Sequence, residues 1–418
     1  MSGTIVFVTF DGGGNVPPLV GIARELVDRG HRVRVIGGTL VPGGMPSPRL
    51  REAFERVGCE VVALAAAVGI GEPPSTAIVV AAIPRQYAFM QVLAMCASLS
   101  SHWALSVAPQ IAERRPDIVL VDVSLPGAAL AAEAAGVPYA GLHHTILDHR
   151  LLPEEANTIA AGDSSHYREV YTNVALPYLN EAREHLGLPP TGDPWQWQLA
   201  AERMLVLTSP AFDGIPETLP SHWRYTGAVR DQPSGSQSWD SPWLADDPRP
   251  LVVASSTTTS YAAIWKPAIA AIVDACAVLP VRLLLTIGSH LDASEFPAHE
   301  NVCIRERVPH DAVLPKAALI ISQCGHGTTM TALRHGVPIV CIPGFADQPE
   351  VAARIVVRGT GVRLRTRPSA EDVRTAVTTV LTEPSYKEAA QRLGDIIARE
   401  NGAAVAADEV ESVLRASR

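Results

Sequence analysis

Residues 321–355 read ISQCGHGTTMTALRHGVPIVCIPGFADQPEVAARI and contain two loops, each followed by a helical pattern. The apolar runs LIIS and VPIVCIP, at residues 319–322 and 337–343, lead into these loops. Short apolar runs that alternate with helical patterns are typical of a parallel sheet covered on both faces. Because such sheets bind ligands beyond the carboxyl ends of their strands, the two loops are the first candidates for a binding site.

The first loop has the composition of a phosphate-binding turn. Gly325 and Gly327 let backbone N–H groups approach a ligand, and Thr328 and Thr329 add hydroxyl donors. The dipole of the helix that follows favours an anion at this end. The pattern predicts a phosphate or diphosphate cradle, although a glycine turn also opens many helices for packing reasons alone.

The second loop carries Asp347 and Gln348, a carboxylate beside a carboxamide. This pair suits a polyol, because a carboxylate accepts hydrogen bonds from two hydroxyls while a carboxamide both donates and accepts. The alternative is that Asp347 caps the helix QPEVAARI, with Pro349 in its first turn.

The whole chain consists of two series of alternating strands and helices. The first runs from TIVFVTF at residues 4–10 to RMLVLTS at 203–209, and the second starts with PLVVASS at 250–256. Residues 229–250 between them are rich in Pro, Ser, Gly and Asp, which predicts a linker. The fold class predicted is α/β, with two doubly wound domains that face each other across a central cleft.

Composition narrows the function classes. The chain has 418 residues and a net charge of -9, so it lacks the basic footprint of a nucleic-acid-binding protein.

Six scattered cysteines without a C-x-x-C pair predict reduced thiols in a cytoplasmic protein and no zinc site. The N-terminus enters a strand at once, so no signal peptide is expected. Residues 86–112 lack charge but contain serines, glutamines and a proline, which favours a buried helix over a membrane span.

Two stretches resemble a known family: GNVPPL…ARELVDRGHRVRV near the start, and residues 308–355, VPHDAVLPKAALIISQCGHGTTMTALRHGVPIVCIPGFADQPEVAARI. They look like the nucleotide-sugar glycosyltransferases of the GT-B fold, closest to the bacterial enzymes that decorate antibiotics. The resemblance implies inverting, metal-independent transfer from a UDP- or dTDP-sugar to a small acceptor, without a cofactor. It also implies an acceptor domain at 1–228, a linker at 229–250, a donor domain at 251–390 and a helix within 391–418 that returns to the first domain.

The resemblance also implies roles for individual residues of the second domain. Asp347 and Gln348 match the sugar-binding pair, and Gly325, Gly327 and Thr328 match the diphosphate loop. Gln323 stands where the family most often has a histidine that touches the diphosphate. Val308 falls where the family holds the nucleobase, and Thr257 and Thr258 lie on a phosphate-facing turn. His326, a loop histidine, either binds phosphate or packs on the start of the helix.

This chain departs from the family's catalytic pattern at one position. The motif Gly-His-Val-x-Pro-Leu, whose histidine is the general base, reads GNVPPL here, so Asn15 replaces the base while its partner Asp122 is retained. Asn15 has no titratable proton near neutral pH and can only orient an acceptor. Three hypotheses follow. The acceptor is intrinsically reactive; or Asp11, His143 or His144 supplies the base; or the protein is an inactive accessory homologue.

The sequence defines least well the residues that would bind the acceptor. Residues 61–112 are poor in charge, which suits an apolar natural-product acceptor as well as ordinary core helices. The side chains concerned are Phe89, Met90, Met95, Trp103, Trp195 and Trp197. A sugar-nucleotide epimerase of similar shape would convert its donor without any acceptor. The sequence contains no recognisable pattern that decides whether the chain forms a homodimer.

Overall fold

A computed structural model describes residues 2–42, 45–64, 66–84, 87–148, 164–216, 219–231, 238–256 and 262–417. The chain forms two compact units, residues 1–232 together with 401–418, and residues 233–400. Each unit contains one parallel sheet with helices around it, as the sequence predicts for an α/β protein.

The first unit contains a seven-stranded sheet in the order β3-β2-β1-β4-β5-β6-β7, with every neighbouring pair parallel. The chain adds strands on one side of β1 and then starts again on the other side at β4. The carboxyl ends of β1 and β4 therefore flank the topological switch point, where open α/β sheets bind ligands. The strands are β1 Thr4–Phe10, β2 Arg32–Gly38, β3 Glu60–Ala63, β4 Ile118–Asp122, β5 Tyr139–His143, β6 Arg203–Val206 and β7 Trp223–Tyr225.

Helices cover both faces of this sheet because alternate strand residues point to opposite faces. Along β1, Val6 and Val8 belong to one hydrophobic cluster, whereas Ile5 and Phe7 belong to another. The helices are α1 Val16–Asp28, α2 Pro48–Glu55, α3 Thr76–Ala81, α4 Ala88–Ser98, α5 Ser100–Glu113, α6 Pro126–Ala134, α7 Ser164–His185, α8 Gln196–Leu199 and α9 Pro210–Asp213.

The charge-poor stretch forms α4 and α5, which bend by 53° where they meet. No single helix in the described part of the chain is long and apolar enough to span a membrane, although this bent pair passes the same test when taken together. Trp103 on α5 is fully buried and its indole N–H donates to Leu40 O at 2.9 Å. Most of the acceptor candidates named above are likewise buried, namely Phe89, Met90, Trp195 and Trp197.

The second unit contains a six-stranded sheet in the order β10-β9-β8-β11-β12-β13, again parallel throughout. Its switch point lies between β8 and β11. The strands are β8 Leu251–Ser255, β9 Arg282–Thr286, β10 Val302–Arg305, β11 Leu319–Ser322, β12 Ile339–Cys341 and β13 Gly361–Arg363. The α-helices are α10 Ala262–Ala277, α11 His310–Val313, α12 His326–Arg334, α13 Gln348–Val357, α14 Ala370–Thr382 and α15 Pro384–Arg399, and 3-10 turns lie at Ala293–Glu295 and Leu314–Lys316.

The last helix, α16 (Gly402–Ala416), belongs to the first unit and packs on α1. Arg29 bonds to Asp408 at 2.6 Å, and His31 lies 3.1 Å from Glu411. The predicted segment 391–418 thus comprises the end of α15 and the whole of α16, and the chain enters the first unit at residue 401.

The cysteine prediction is wrong for one pair. Cys324, just after β11, and Cys341, at the end of β12, form a disulfide with a Cα–Cα distance of 5.8 Å. The two strands are neighbours in the sheet, so their ends bring together thiols that lie 17 residues apart in sequence. The free cysteines, all of them buried, are Cys59, Cys96, Cys276 and Cys303.

Candidate active site

The switch point of the first sheet brings Asn15 and Asp122 together. Asn15 occupies the N-cap position of α1, and Asp122 is the last residue of β4. Neither position is exposed: Asn15 is buried, and Asp122 has no accessible surface. The family resemblance places the catalytic pair here, and the fold brings these two residues together across 107 positions of sequence.

Asn15 uses both ends of its carboxamide inside the protein. Its Nδ2 donates to Asp122 Oδ2 at 2.8 Å and to the carbonyl oxygen of Phe10 at 2.8 Å. Its Oδ1 accepts from Gly12 N at 3.0 Å, and its side chain makes no helix-capping bond. Asn15 therefore fixes the loop between β1 and α1 and one oxygen of Asp122, and it has no atom that could take a proton from an acceptor.

Asp122 remains ionised although it is buried. Burial raises the pKa of this carboxyl, but the charge of His144 and hydrogen bonds from Asn15 and the Ser124 N–H outweigh it, and the pKa is lowered. Ser124 N donates to Oδ1 at 2.9 Å, and the Thr9 hydroxyl donates to Oδ2 at 3.3 Å. The carboxylate is thus a fixed negative charge beside a histidine.

His144 follows β5 directly, and its Nδ1 lies 3.4 Å from Asp122 Oδ1. The side chain is 18% exposed, unlike that of Asp122. Because Nδ1 faces the carboxylate, Nε2 is on the far side of the ring. A buried carboxylate at Nδ1 orients an imidazole and stabilises its protonated form, which leaves Nε2 to exchange a proton with a ligand.

The other two candidate bases have different surroundings. His143 is buried, and burial together with the charge of His144 lowers its pKa to about 3. Its ring packs on Trp223 with a centroid distance of 5.4 Å, as a core residue does. Asp11 accepts from Gly13 N at 3.1 Å through one oxygen and from the Ser47 hydroxyl through the other, so its carboxylate organises the glycine loop.

In the second unit, the glycine loop follows β11 at the switch point. Gly325 is the N-cap residue of α12, and His326 is the first residue of that helix. A side chain added at Gly325 or Gly327 would meet nothing within 4 Å, so both glycines border open space. Thr328 is partly exposed on the first turn, whereas Thr329 is buried. The first N–H groups of a helix have no acceptor within that helix and can bind an anion.

Unpartnered polar groups concentrate at this same edge of the second sheet. Across the described residues of the second unit, four buried side-chain polar atoms lack a hydrogen-bond partner. Two of them follow β8 and β11, and two lie in the first turns of α10 and α12. They are Ser256 Oγ, Gln323 Oε1, Trp265 Nε1 and Thr329 Oγ1. Because buried polar groups are normally paired, their clustering indicates a site that a polar ligand completes.

The loop after β12 presents Asp347 and Gln348. Asp347 stands at the N-cap of α13, but its side chain makes no capping bond, so the alternative role considered for it is not realised. Gln348 is buried, and its Oε1 accepts from Gly344 N at 2.9 Å and Phe345 N at 3.2 Å. Val308 is buried after β10. Thr257 and Thr258 lie outside the described residues.

Comparison with known proteins agrees with this geometry. Residues 271–413 match the family described as erythromycin biosynthesis protein CIII-like, C-terminal domain. The chain is 27% identical to 4'-demethylrebeccamycin synthase of Lentzea aerocolonigenes, over 99% of this chain and 100% of that protein. It is 28% identical to demethyllactenocin mycarosyltransferase of Streptomyces fradiae, over 98% and 86%. The crystal structure of glycosyltransferase VinC in complex with dTDP superposes with a TM-score of 0.71 at 19% identity, covering 99% of this chain and 100% of that one.

The chain has the GT-B fold, and it is similar to glycosyltransferases of antibiotic biosynthesis. The resemblance noted in the sequence and the fold it implied are both confirmed. Sequence reasoning missed Thr9 and Ser124, which hold Asp122, and Trp265, whose buried indole N–H has no partner in the described part of the chain. The residues that hold Asp122 carry no motif, because they act through a hydroxyl and a backbone N–H that many positions could provide.

Proposed function

We propose that this glycosyltransferase transfers a sugar, with inversion and without a metal, from a UDP- or dTDP-sugar to a small apolar natural-product acceptor. His144 is the general base in this proposal, and Asp122 orients it. The single observation that carries the proposal is the 3.4 Å approach of His144 Nδ1 to Asp122 Oδ1. Catalytic hydrogen bonds are often long in a ligand-free protein and shorten in the complex with substrate.

The chemistry requires a base because an alcohol is a poor nucleophile until its proton is removed. His144 Nε2 takes the proton of the acceptor hydroxyl as the oxygen attacks the anomeric carbon from the face opposite the leaving diphosphate. The negative charge of Asp122 stabilises the imidazolium that forms. General-base assistance of this kind contributes about 10²–10⁴ in rate.

The donor side supports the same reaction. The leaving group is a nucleoside diphosphate, whose negative charge backbone N–H groups and the helix dipole at the start of α12 can stabilise. Gln323 offers a neutral hydrogen-bond donor where the family most often has a histidine. Asp347 and Gln348 bind hydroxyls of the sugar. The proposal needs no cofactor, no nucleic acid and no second copy of the chain.

His144→Ala tests the assignment of the base. We expect kcat with an aliphatic alcohol acceptor to fall about 10²–10⁴-fold. The loss should be much smaller with a phenol, which ionises more readily. Release of UDP or dTDP measures the rate. His185→Ala, at the exposed end of α7, is the matched control and should leave kcat unchanged.

Two results would contradict the proposal in different ways. Full activity of His144→Ala with an alcohol acceptor would remove His144 as the base and favour a different base, such as Asp11. Tight binding of sugar nucleotide by the wild-type protein without turnover of any donor would instead indicate an accessory, non-catalytic protein.

A further inference from the structure

Trp265 carries a buried polar atom that the reaction described above does not use. It lies in the first turn of α10, is 2% exposed, and its indole Nε1 has no partner among the residues that the structure describes. A buried donor without an acceptor is destabilising, so such a group in a native protein calls for an explanation. In the described part of this unit, the three other buried side-chain atoms without a partner lie at the same sheet edge, where the donor is proposed to bind.

Gly344 brings the indole against the loop of the sugar-binding pair. A Cβ added at Gly344 would lie 3.2 Å from Trp265 Nε1 and 3.4 Å from Gln348 Oε1. The absence of a side chain at position 344 therefore lets the indole N–H and the carboxamide approach the same point. Trp265 follows β8 and Gly344 follows β12, so the contact reaches across the end of the intervening strand, β11.

The hydrogen bonds of Gln348 determine which end of its carboxamide faces a ligand. Oε1 accepts from the N–H groups of Gly344 and Phe345, so the oxygen is committed to the protein. The NH2 group is therefore the end of the carboxamide that can donate to a ligand. Trp265 and Gln348, which follows Asp347 in sequence, thus both offer N–H donors at this loop.

We propose that Trp265 is a further sugar-specificity residue of this glycosyltransferase. Its indole N–H donates to one oxygen of the donor sugar, beside the contacts of Asp347 and Gln348. The inference rests on the proposed function, since it assigns part of the donor site. A site with N–H donors favours a sugar that places an oxygen opposite the Trp265 N–H over the corresponding deoxy sugar. The deoxy sugar would leave this N–H group without an acceptor.

Trp265→Phe tests this role because it keeps an aromatic ring and removes the N–H. Calorimetric titration with UDP-glucose and UDP, and with dTDP-glucose and dTDP, separates the sugar from the nucleotide. We expect Kd for the sugar nucleotide to rise about 3–10-fold, the size of one hydrogen bond, and Kd for the free diphosphate to stay unchanged. Trp243→Phe is the matched control, because the Trp243 N–H donates to Glu300 O at an exposed position of the same unit.

Analogues identify the oxygen concerned. The 2-, 3-, 4- and 6-deoxyglucose nucleotides should each bind the wild type more weakly, and for one of them the Trp265→Phe substitution should have no further effect. The melting temperature of ligand-free Trp265→Phe should be equal to or above that of the wild type, since the substitution removes an unpaired donor.

The outcomes separate this inference from the proposed function. Equal losses of affinity for sugar nucleotide and free diphosphate, with a lowered melting temperature, would show that Trp265 is only structural. Unchanged affinity for the sugar nucleotides would also overturn the inference, and transfer activity of the wild type would still support the proposed function. Failure of the wild type to bind UDP, dTDP or either sugar nucleotide would instead count against the proposed function itself.

Discussion

Asn15 donates a hydrogen bond of 2.8 Å from Nδ2 to Asp122 Oδ2, at the position where the family pattern places a catalytic histidine. The bond leaves Oδ1 of the same carboxylate to face His144. In the proposed mechanism, Asn15 therefore takes the place of the usual base and holds Asp122 for His144. The histidine–aspartate pair is still present, but its histidine comes from the end of β5 instead of the start of α1.

Replacing Asn15 tests this supporting role. Asn15→Ala removes a donor to a buried carboxylate and the acceptor for Gly12 N, so we expect the free energy of unfolding to fall by about 1–3 kcal/mol. We also expect kcat to fall about tenfold, because Asp122 would no longer be held beside His144, an effect of about 1.4 kcal/mol on the barrier. Urea unfolding and initial rates measure the two effects. Unchanged values for both would mean that Asn15 does not position Asp122.

Asp122 should make stability depend on acid pH. Its pKa is lowered in the folded protein, so the unfolded chain takes up a proton first as the pH falls. The stabilisation is therefore fully present above the ordinary aspartate pKa, about 4, and is lost as the pH falls through the lower pKa of the folded state. The stability difference between wild type and Asp122→Asn should be largest near pH 7 and shrink below about pH 4. Urea unfolding at a series of pH values measures it, and a constant difference would argue against an ionised Asp122.

The sequence predicted the architecture more readily than which histidine lies beside Asp122. Continuous apolar strands and helical patterns recur along the whole chain, so the two parallel sheets could be predicted. His143 and His144 are adjacent, however, and consecutive residues at a strand end point in opposite directions. Only the structure shows that His143 faces the core against Trp223 and that His144 faces Asp122.

The disulfide could not be predicted for a related reason. Its cysteines form no short motif, and their approach depends on β11 and β12 being neighbours in register. Likewise, the close approach of the Trp265 indole to Gly344 depends on the strand order. Such long-range pairings follow from topology, which local patterns indicate only in outline.

The disulfide gives a direct chemical test. Cys324 and Cys341 close a loop of 17 residues, for which a cross-link is expected to stabilise the folded state by about 3 kcal/mol. The protein unfolded without reductant should take up four equivalents of a thiol-alkylating reagent, one for each free cysteine. Cys341→Ala should lower the free energy of unfolding by a similar amount, and Cys303→Ala should leave the cross-link intact. Alkylation of all six thiols without reductant would show that no disulfide forms.

His143 should weaken the protein in mild acid. Its pKa is lowered to about 3 by burial and by the charge of His144, whereas a histidine in an unfolded chain has a pKa of about 6.5. As the pH falls between these values the unfolded chain binds a proton that the folded protein does not, so stability falls by up to about 1.4 kcal/mol per pH unit. His143→Phe keeps an aromatic ring against Trp223 and cannot bind a proton, and neither ring nitrogen of His143 has a partner in the described residues.

The stability of His143→Phe relative to wild type should therefore rise by about 2 kcal/mol between pH 7 and pH 5. Urea unfolding at the two pH values measures this change. His185→Phe is the control, because that histidine lies at the exposed end of α7 and its replacement should produce no comparable gain. A difference between wild type and His143→Phe that stays constant from pH 7 to pH 5 would mean that His143 is protonated in the folded protein, and His143 would then return as a candidate base.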